Sequence, residues 1–232
     1  MQVPSFPDLR GDDHSPDAYL GGELSLPWVI AAYESGFFPW PMEDEPLAWW
    51  CPRTRMIFEV DGLHVSRSLQ RTLRRGRFQF SLDRDFSGVL ARCRDQRGPG
   101  RDGTWITDEI TEVYEQLHQL GLGHSLEVWE EEVLVGGVYG LALGQVFFGE
   151  SMFSDRTDAS KAGLAVLTAQ LRIWGFEMLD CQVPNEHLIR MGGKAVPRCD
   201  FLDRLATGLR APTCLGRWEL DPMGPWHSAG GH

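Results

Sequence analysis

The sequence predicts an α+β or mixed α/β protein, and three observations carry that prediction. The run SLEVWEEEVLVGGVYGLALGQVFFGESMFS holds three strand-like segments separated by short turns, the centre of an antiparallel sheet. Helical periodicities flank it on both sides, and the longest lies in DASKAGLAVLTAQLRIWG. No heptad or solenoid repeat runs through the 232 residues, a length that buries a substantial core without staples.

The elements follow in order. In LGGELSLPWVIAAYESGFFPWP, Ser25 is placed to cap a short helix through Tyr33, and Gly36 to end it. Eight prolines by residue 52 favour compact turns over a long sheet. Trp28, Phe37, Phe38, Trp40, Trp49 and Trp50 pack either a small core or the wall of a ligand cleft. SRSLQRTLRRGR reads as a helix begun near Ser66, with Leu69 and Leu73 turned to the core. RFQFSL alternates as a short strand, residues 86–96 read as a helix, and GPGRDG is a loop. A stronger helix runs from Thr107 to Leu120, with Ile110, Val113, Leu117 and Leu120 as its apolar stripe and Asp108 and Glu109 favourable in its first turn. Beyond the three strands and the long helix, MLDCQV is a strand and NEHLIRMGG a short helix with a glycine-rich tail. FLDRLATGL is helical, and WELDPMGPWHSAGGH is loose.

The formal charge is −11, yet between His64 and Arg101 ten arginines face only Asp83, Asp85 and Asp95. Twenty of the 22 basic side chains are arginine, whose rigid donor fork suits phosphate. Arg67, Arg71, Arg74 and Arg75 recur at i, i+4, i+7 and i+8, which makes one stripe on the first basic helix. That stripe is either a solvated face or a phosphate-contacting surface, and the second reading predicts binding that weakens with salt.

Cys51, Cys93, Cys181, Cys199 and Cys214 are widely spaced and form no CxxC or Cys/His ligand set, which fits apolar fillers in a reducing cytoplasm. The first residues have no basic head or apolar run, and no segment reaches the roughly 18 apolar residues of a spanning helix, so no membrane partner is expected. GxGxxG at a strand-to-helix turn and GxxxxGK[ST] are both missing, so neither a dinucleotide nor a P-loop site is expected. No metal and no other cofactor is expected either.

Two polar positions stand out in otherwise apolar strands. A period of two puts Glu150 on one face with Val146, Phe148 and Met152, where a carboxylate needs a partner, a ligand or a wet strand end. In MLDCQV, Leu179, Cys181 and Val183 form the apolar face, so Asp180 and Gln182 point together to the other side. That pair either lies on a solvated face or lines a cleft, where Asp180 orients Gln182 or accepts a proton and Gln182 holds a nucleophile or polarises a carbonyl. Ser151 lacks the GxSxG elbow, and Cys181 reads as core. His64, His118, His124 and His187 have no metal spacing and read as packing, capping or surface. Lys161 is either solvated or an anion contact.

Taken together, LGGELS, ESGFFPW, WWCPRTR, LHVSRSLQR, GTWIT, VYEQLHQLG, HSLEVW, LVGGVYGLALG, FFGESMFS, DASKAGL and LDCQVPNEHL resemble the bacterial leucyl/phenylalanyl-tRNA–protein transferases over residues 17–207. The resemblance implies a small N-terminal domain, residues 1–62, joined to an acyl-CoA N-acyltransferase-like (GNAT-like) catalytic domain and tail, residues 63–232. It implies transfer of leucine or phenylalanine, less readily methionine, from Leu-tRNA or Phe-tRNA to proteins that begin with arginine or lysine, which marks them for degradation. It assigns the apolar amino-acid pocket to Trp49, Trp50, Trp105 and Val138, the pocket carboxylate to Glu150, and the catalytic pair to Asp180 and Gln182. The QRGPGRDG loop before GTWIT departs from the family pattern, which leaves its tRNA contacts open. A monomer is the expected state. An aminoacyl ester is already activated and an α-amine titrates at about 7.7–8.0, so positioning plus a modest proton acceptor suffices and no Ser-His-Asp triad is needed. An RNA-binding adaptor without turnover and a CoA-dependent N-acetyltransferase are the competing readings.

Overall fold

A computed structural model describes residues 4–11, 15–41, 45–95, 105–222 and 224, and these described residues form seventeen elements. The loop GPGRDG and residues 225–232 of the expected loose tail lie outside these. The order is β1 (Ala18–Leu20), α1 (Leu26–Glu34), β2 (Phe38–Pro39), β3 (Ala48–Trp50), β4 (Thr54–Glu59), α2 (Arg67–Arg74), β5 (Gln79–Leu82), α3 (Phe86–Asp95) and α4 (Asp108–Gln119). Then come β6 (Gly123–Glu130), β7 (Val133–Leu143), β8 (Val146–Ser154), α5 (Ala159–Ile173), β9 (Met178–Asp180), α6 (Glu186–Arg190), β10 (Lys194–Pro197) and α7 (Arg198–Gly208).

Local chemistry explains the helix starts. Ser66 and Thr107 accept hydrogen bonds at 3.2 Å from the backbone N–H groups of Leu69 and Ile110, and Asn185 accepts one at 2.9 Å from Leu188. Ser25 occupies the expected cap position of α1 but makes no capping bond; Pro27 in the first turn supplies the fixed φ instead. Leu120, expected in the apolar stripe of α4, is exposed because it sits at the C-cap, past the last buried turn.

Two sheets result. β1, β3 and β2 form a small antiparallel sheet, in line with the proline-rich sequence. The larger sheet runs β10-β4-β9-β8-β7-β6-β5, with every pair antiparallel except β8–β9. That parallel pair needs a long crossover, which α5 provides. β4 pairs inside the larger sheet, so residues 54–59, counted above with the first 62, take their hydrogen bonds from the second unit. One face of the large sheet packs Ile57, Tyr139, Leu141 and Phe148 against α1, α3, α4, α7 and Trp49. The other packs Val138, Ala142, Phe147 and Leu179 against α5 and Leu69 of α2.

A bulge breaks the alternation of β8. Tyr139 pairs with Ser151 and Gly140 with Gly149, so Glu150 is the unpaired extra residue. A Cβ at Gly140 would lie 2.1 Å from the Phe148 carbonyl oxygen, so only glycine admits this close approach. The bulge shifts parity: Phe153, not Met152, shares a face with Val146 and Phe148, while Met152 joins Phe147 on the α5 side. The expected grouping of Glu150 with Met152 is therefore corrected.

The tail is not loose where it is described. Trp218 is 2% exposed, stacks on His124 at 3.6 Å, and donates its backbone N–H to Asp83 at 2.7 Å. The Asp83 carboxylate also takes His124 Nδ1 and the Ser125 N–H, so one acid pins strand and tail together. Trp218→Ala is expected to destabilise the fold by about 3–5 kcal/mol, the range for large aromatic truncations in a core. Urea denaturation measures this, and a change below about 1 kcal/mol would mean the tail is dispensable.

Candidate active site

Strands β8 and β9 pair only from Val146↔Met178 to Phe148↔Asp180 and then part. β8 continues to Ser154 beside β7, while the chain beyond Asp180 stays with β4 through a 2.8 Å bond from the Cys181 N–H to the Met56 carbonyl. Gly149, Glu150 and Gln182 lie where the two strands separate. Gln182 Nε2 donates to Glu150 Oε1 across this gap at 3.0 Å.

Gln182 adopts φ +62°, a left-handed conformation that costs a non-glycine residue roughly 1–2 kcal/mol. What holds it there is Asp180, whose Oδ1 accepts the Gln182 backbone N–H at 2.9 Å. Asp180 is itself fixed by Arg55: Nε donates to Oδ1 at 2.8 Å and Nη2 to Oδ2 at 2.6 Å, with both side chains wholly buried. The Arg55 guanidinium lies over the rings of Phe38 and Phe201, 4.7 and 4.4 Å from their centroids. Asp180 and Gln182 are thus brought together as expected, but through the backbone, and the Gln182 side chain reaches for Glu150.

Within this network the buried polar atoms left without a partner among the described residues are Arg55 Nη1 and one carboxylate oxygen of Glu150. Its Oε1 accepts from Tyr33 Oη at 2.6 Å as well as from Gln182, and Tyr33 Oη is 2.7 Å from Tyr114 Oη. With the Tyr33 proton committed to Glu150, Tyr114 must donate to Tyr33. Oε2 is buried and has no hydrogen-bond partner among the described residues. Burial raises the carboxyl to about 7, against the Tyr33, Tyr114 and Gln182 side chains that hold it down and with a further push from the Asp180 charge. Burial, reinforced by the Glu150 charge, drives the hydroxyls of Tyr33, Tyr114 and Tyr139 well above their ordinary value, so all three stay protonated. The Tyr139 hydroxyl is also buried without a partner among the described residues.

Glu127 supplies the contrast. Its side chain is fully buried and its carboxyl is also raised by burial, but Ser125 and Ser81 donate to its two oxygens at 2.5 Å, and the Arg84 and Asp85 N–H groups add to them. A carboxylate so filled is structural, whereas Glu150 keeps one oxygen for a group not supplied by the described residues.

The remaining expected residues divide. Trp49 is fully buried, bonded to the Gly21 carbonyl at 2.9 Å and stacked on Trp28, so it belongs to the small-sheet core. Trp50 and Trp105 are partly buried against the core that holds Tyr33, Tyr114 and Tyr139, and Trp50 Nε1 is buried without a partner among the described residues. Val138 faces α5, on the opposite side of the sheet from the Tyr33–Tyr114 pair. Arg67, Arg71, Arg74 and Arg75 are exposed along α2 and its C-cap. Sequence reasoning missed Arg55, whose only signal was a cation inside the apolar run TRMIFE, and also Tyr33 and Tyr114, which resemble ordinary helix core. Among the described residues no cluster of His, Cys, Asp or Glu is arranged to hold a metal ion, and no helix is long and apolar enough to cross a membrane.

With the geometry in place, comparison with known proteins adds a consistent result. A family model for leucyl/phenylalanyl-tRNA protein transferase matches residues 57–206, and one for the N-terminal domain of that family matches 22–53. The chain is 49% identical over 219 residues to a leucyl/phenylalanyl-tRNA–protein transferase of an Anaeromyxobacter species, covering 94% of this chain and 92% of the relative. It is 48% identical over 211 residues to a protein of the same description from Azotobacter vinelandii, covering 90% and 93%. Among solved structures, a GCN5-related N-acetyltransferase from Kribbella flavida aligns with a TM-score of 0.38 at 11% identity, over 73% of this chain and 59% of that one.

Arg55→Ala strands the buried Asp180 charge and is expected to cost about 3–5 kcal/mol. Arg55→Met with Asp180→Leu removes both charges and should recover most of that loss in denaturant unfolding. A double variant as unstable as the single would mean the pair does not carry the local fold.

Proposed function

The chain belongs to the leucyl/phenylalanyl-tRNA–protein transferase family, and from that premise we propose how it moves an aminoacyl group from tRNA to the N-terminal residue of a protein. The observation that carries the mechanism is the Oε2 of Glu150, unpartnered among the described residues, in the gap between β8 and β9. The acceptor α-amine attacks the ester carbonyl, a C–N bond forms, and the bond from the carbonyl carbon to the ribose oxygen breaks. Glu150 takes the proton the amine loses and returns it to the departing ribose oxygen. A carboxyl raised to about 7 is suited to both transfers near neutral pH.

Gln182 orients the reacting groups from the opposite lip of the gap, and Asp180 is a positioning residue. Its two oxygens already accept three N–H donors, which argues against the proton-accepting role considered from sequence. The leucyl or phenylalanyl side chain lies against the apolar core near Trp50 and Trp105, with Trp49 behind that wall; Val138, buried on the α5 side of the sheet, lies away from this pocket, which corrects its expected place there. One methylene is worth only about 1–3 kcal/mol in such a pocket, which accommodates slower use of methionine. An acceptor beginning with arginine or lysine suits an acidic protein, and the Arg67, Arg71, Arg74 and Arg75 stripe supplies backbone contacts to tRNA. The finer domain description, a small N-terminal unit ahead of an acyl-CoA N-acyltransferase-like one, is part of the same reading. It is supported by the separate three-stranded sheet and by the mixed seven-stranded sheet that parts beside the proposed centre.

Labelled Leu-tRNA or Phe-tRNA incubated with an arginine-started peptide is expected to yield peptide-linked label without ATP; binding without transfer would favour the adaptor reading. In single turnover the wild-type rate should rise with pH through about 7, because the base acts only when ionised. Glu150→Gln should lose about 10²–10⁴-fold and that limb, leaving the α-amine titration at about 7.7–8.0. Asp180→Asn should slow the reaction yet keep the limb near 7. Loss of the limb in Asp180→Asn and its survival in Glu150→Gln would reverse the two roles.

A linked prediction concerns stability. The Glu150 carboxyl is raised in the folded state, so the fold binds a proton that the unfolded chain has already released. Its stabilising effect is present below the unfolded value near 4.5 and is lost as pH rises through about 7. Glu150→Gln should therefore gain stability relative to wild type between pH 5 and pH 8 in urea unfolding, and a pH-independent difference would contradict the shift.

A further inference from the structure

We infer that the basic cavity between α2, α5 and α6 seats a backbone phosphate of the donor tRNA close to its esterified end, a contact separate from the arginine stripe. The inference rests on the function proposed above. The cavity, about 210 Å³, is lined by His64, Ser66, Leu69, Lys161, His187, Arg190 and Met191. Four of these seven side chains carry or can carry positive charge and none is a carboxylate.

Three helices converge on it. Ser66 caps the start of α2, Lys161 lies in the first turn of α5, and His187 and Arg190 come from α6. Lys161 makes a half-buried pair with Asp158 at 3.2 Å and Arg190 an exposed pair with Glu186 at 2.7 Å, each within one helical turn; the exposed pair contributes little and exchanges readily for a phosphate. His64 and His187 are exposed at its rim.

Position gives the cavity its assignment. The arginine stripe begins at the residue after Ser66 and extends about 12 Å along α2, on the α5 side of the sheet. The Glu150 cluster is on the other side, at the gap where β9 ends. An RNA strand that touches the stripe and delivers its end to Gln182 must pass between the two. His187 follows Gln182 by five residues, at most about 18 Å of extended chain, so the cavity stands on that path. It also gives Lys161 a contact that neither the stripe nor the reaction centre requires.

The test compares wild type with Lys161→Ala/His187→Ala/Arg190→Ala. Equilibrium binding of uncharged tRNA should weaken at least tenfold at low salt, and the slope of log affinity against log salt should become shallower by about 0.7–0.9, the increment for one phosphate contact. Arg71→Ala/Arg74→Ala, combined with the triple change, should flatten it further. Transfer from a phosphate-free aminoacyl-adenosine to an arginine-started peptide reads the reaction centre alone and should match wild type in the triple variant. Circular dichroism melts verify its folding, and Lys161→Gln/Arg190→Gln provides a milder second variant with the same expected direction. Wild-type affinity and slope in both variants would overturn the inference. Absence of transfer by the wild-type protein from either donor would instead overturn the proposed function, and the binding measurement would still decide the phosphate site.

Discussion

The buried ion pair between Arg55 and Asp180 is the constraint on which the site depends. Two charges without solvent contact persist only when geometry and hydrogen bonding compensate desolvation, and here the two-pronged arrangement and two aromatic rings do so. Its product is positional. The carboxylate holds the backbone N–H of Gln182 in a left-handed turn, which takes the chain away from β8 and aims the glutamine side chain back across the gap. A neutral or apolar pair could match its stability, but it would not fix that turn.

The bulge in β8 is the matching device on the other lip. By inserting Glu150 as an unpaired residue beside Gly140, it presents a carboxylate where regular pairing would place a core side chain. Burial then does the electrostatic work, and the tyrosine chain through Tyr33 and Tyr114 satisfies one oxygen while leaving the other. Of the two acids at the gap, one is saturated with donors and the other is not, and this asymmetry divides positioning from proton transfer.

Much of the fold was legible where side-chain period and length agreed. β6, β7 and β8 and the long α5 follow directly from their hydrophobic patterns, and the caps at Ser66 and Thr107 stand where residue chemistry puts them. β10 was missed because KAVP is a short, mostly exposed edge strand, and β4 because its apolar run carries Arg55 and follows a proline-rich stretch. The candidate site was legible as residue types, Glu150, Asp180 and Gln182, but not as a network. Its connections depend on a bulge and a positive φ, which arise from the approach of segments distant in sequence. Trp218 is a similar case: a polar, glycine-containing tail reads as loose until Asp83 and His124 are seen to hold it.

The central claim is that Glu150, not Asp180, is the group poised to exchange a proton near neutral pH. Carbon-13 NMR of protein labelled at the glutamate carboxyl carbons, assigned with Glu150→Gln, tests it without reference to turnover. The account predicts a Glu150 resonance that titrates at about 7. Titration at the ordinary glutamate value of about 4.3 would contradict it.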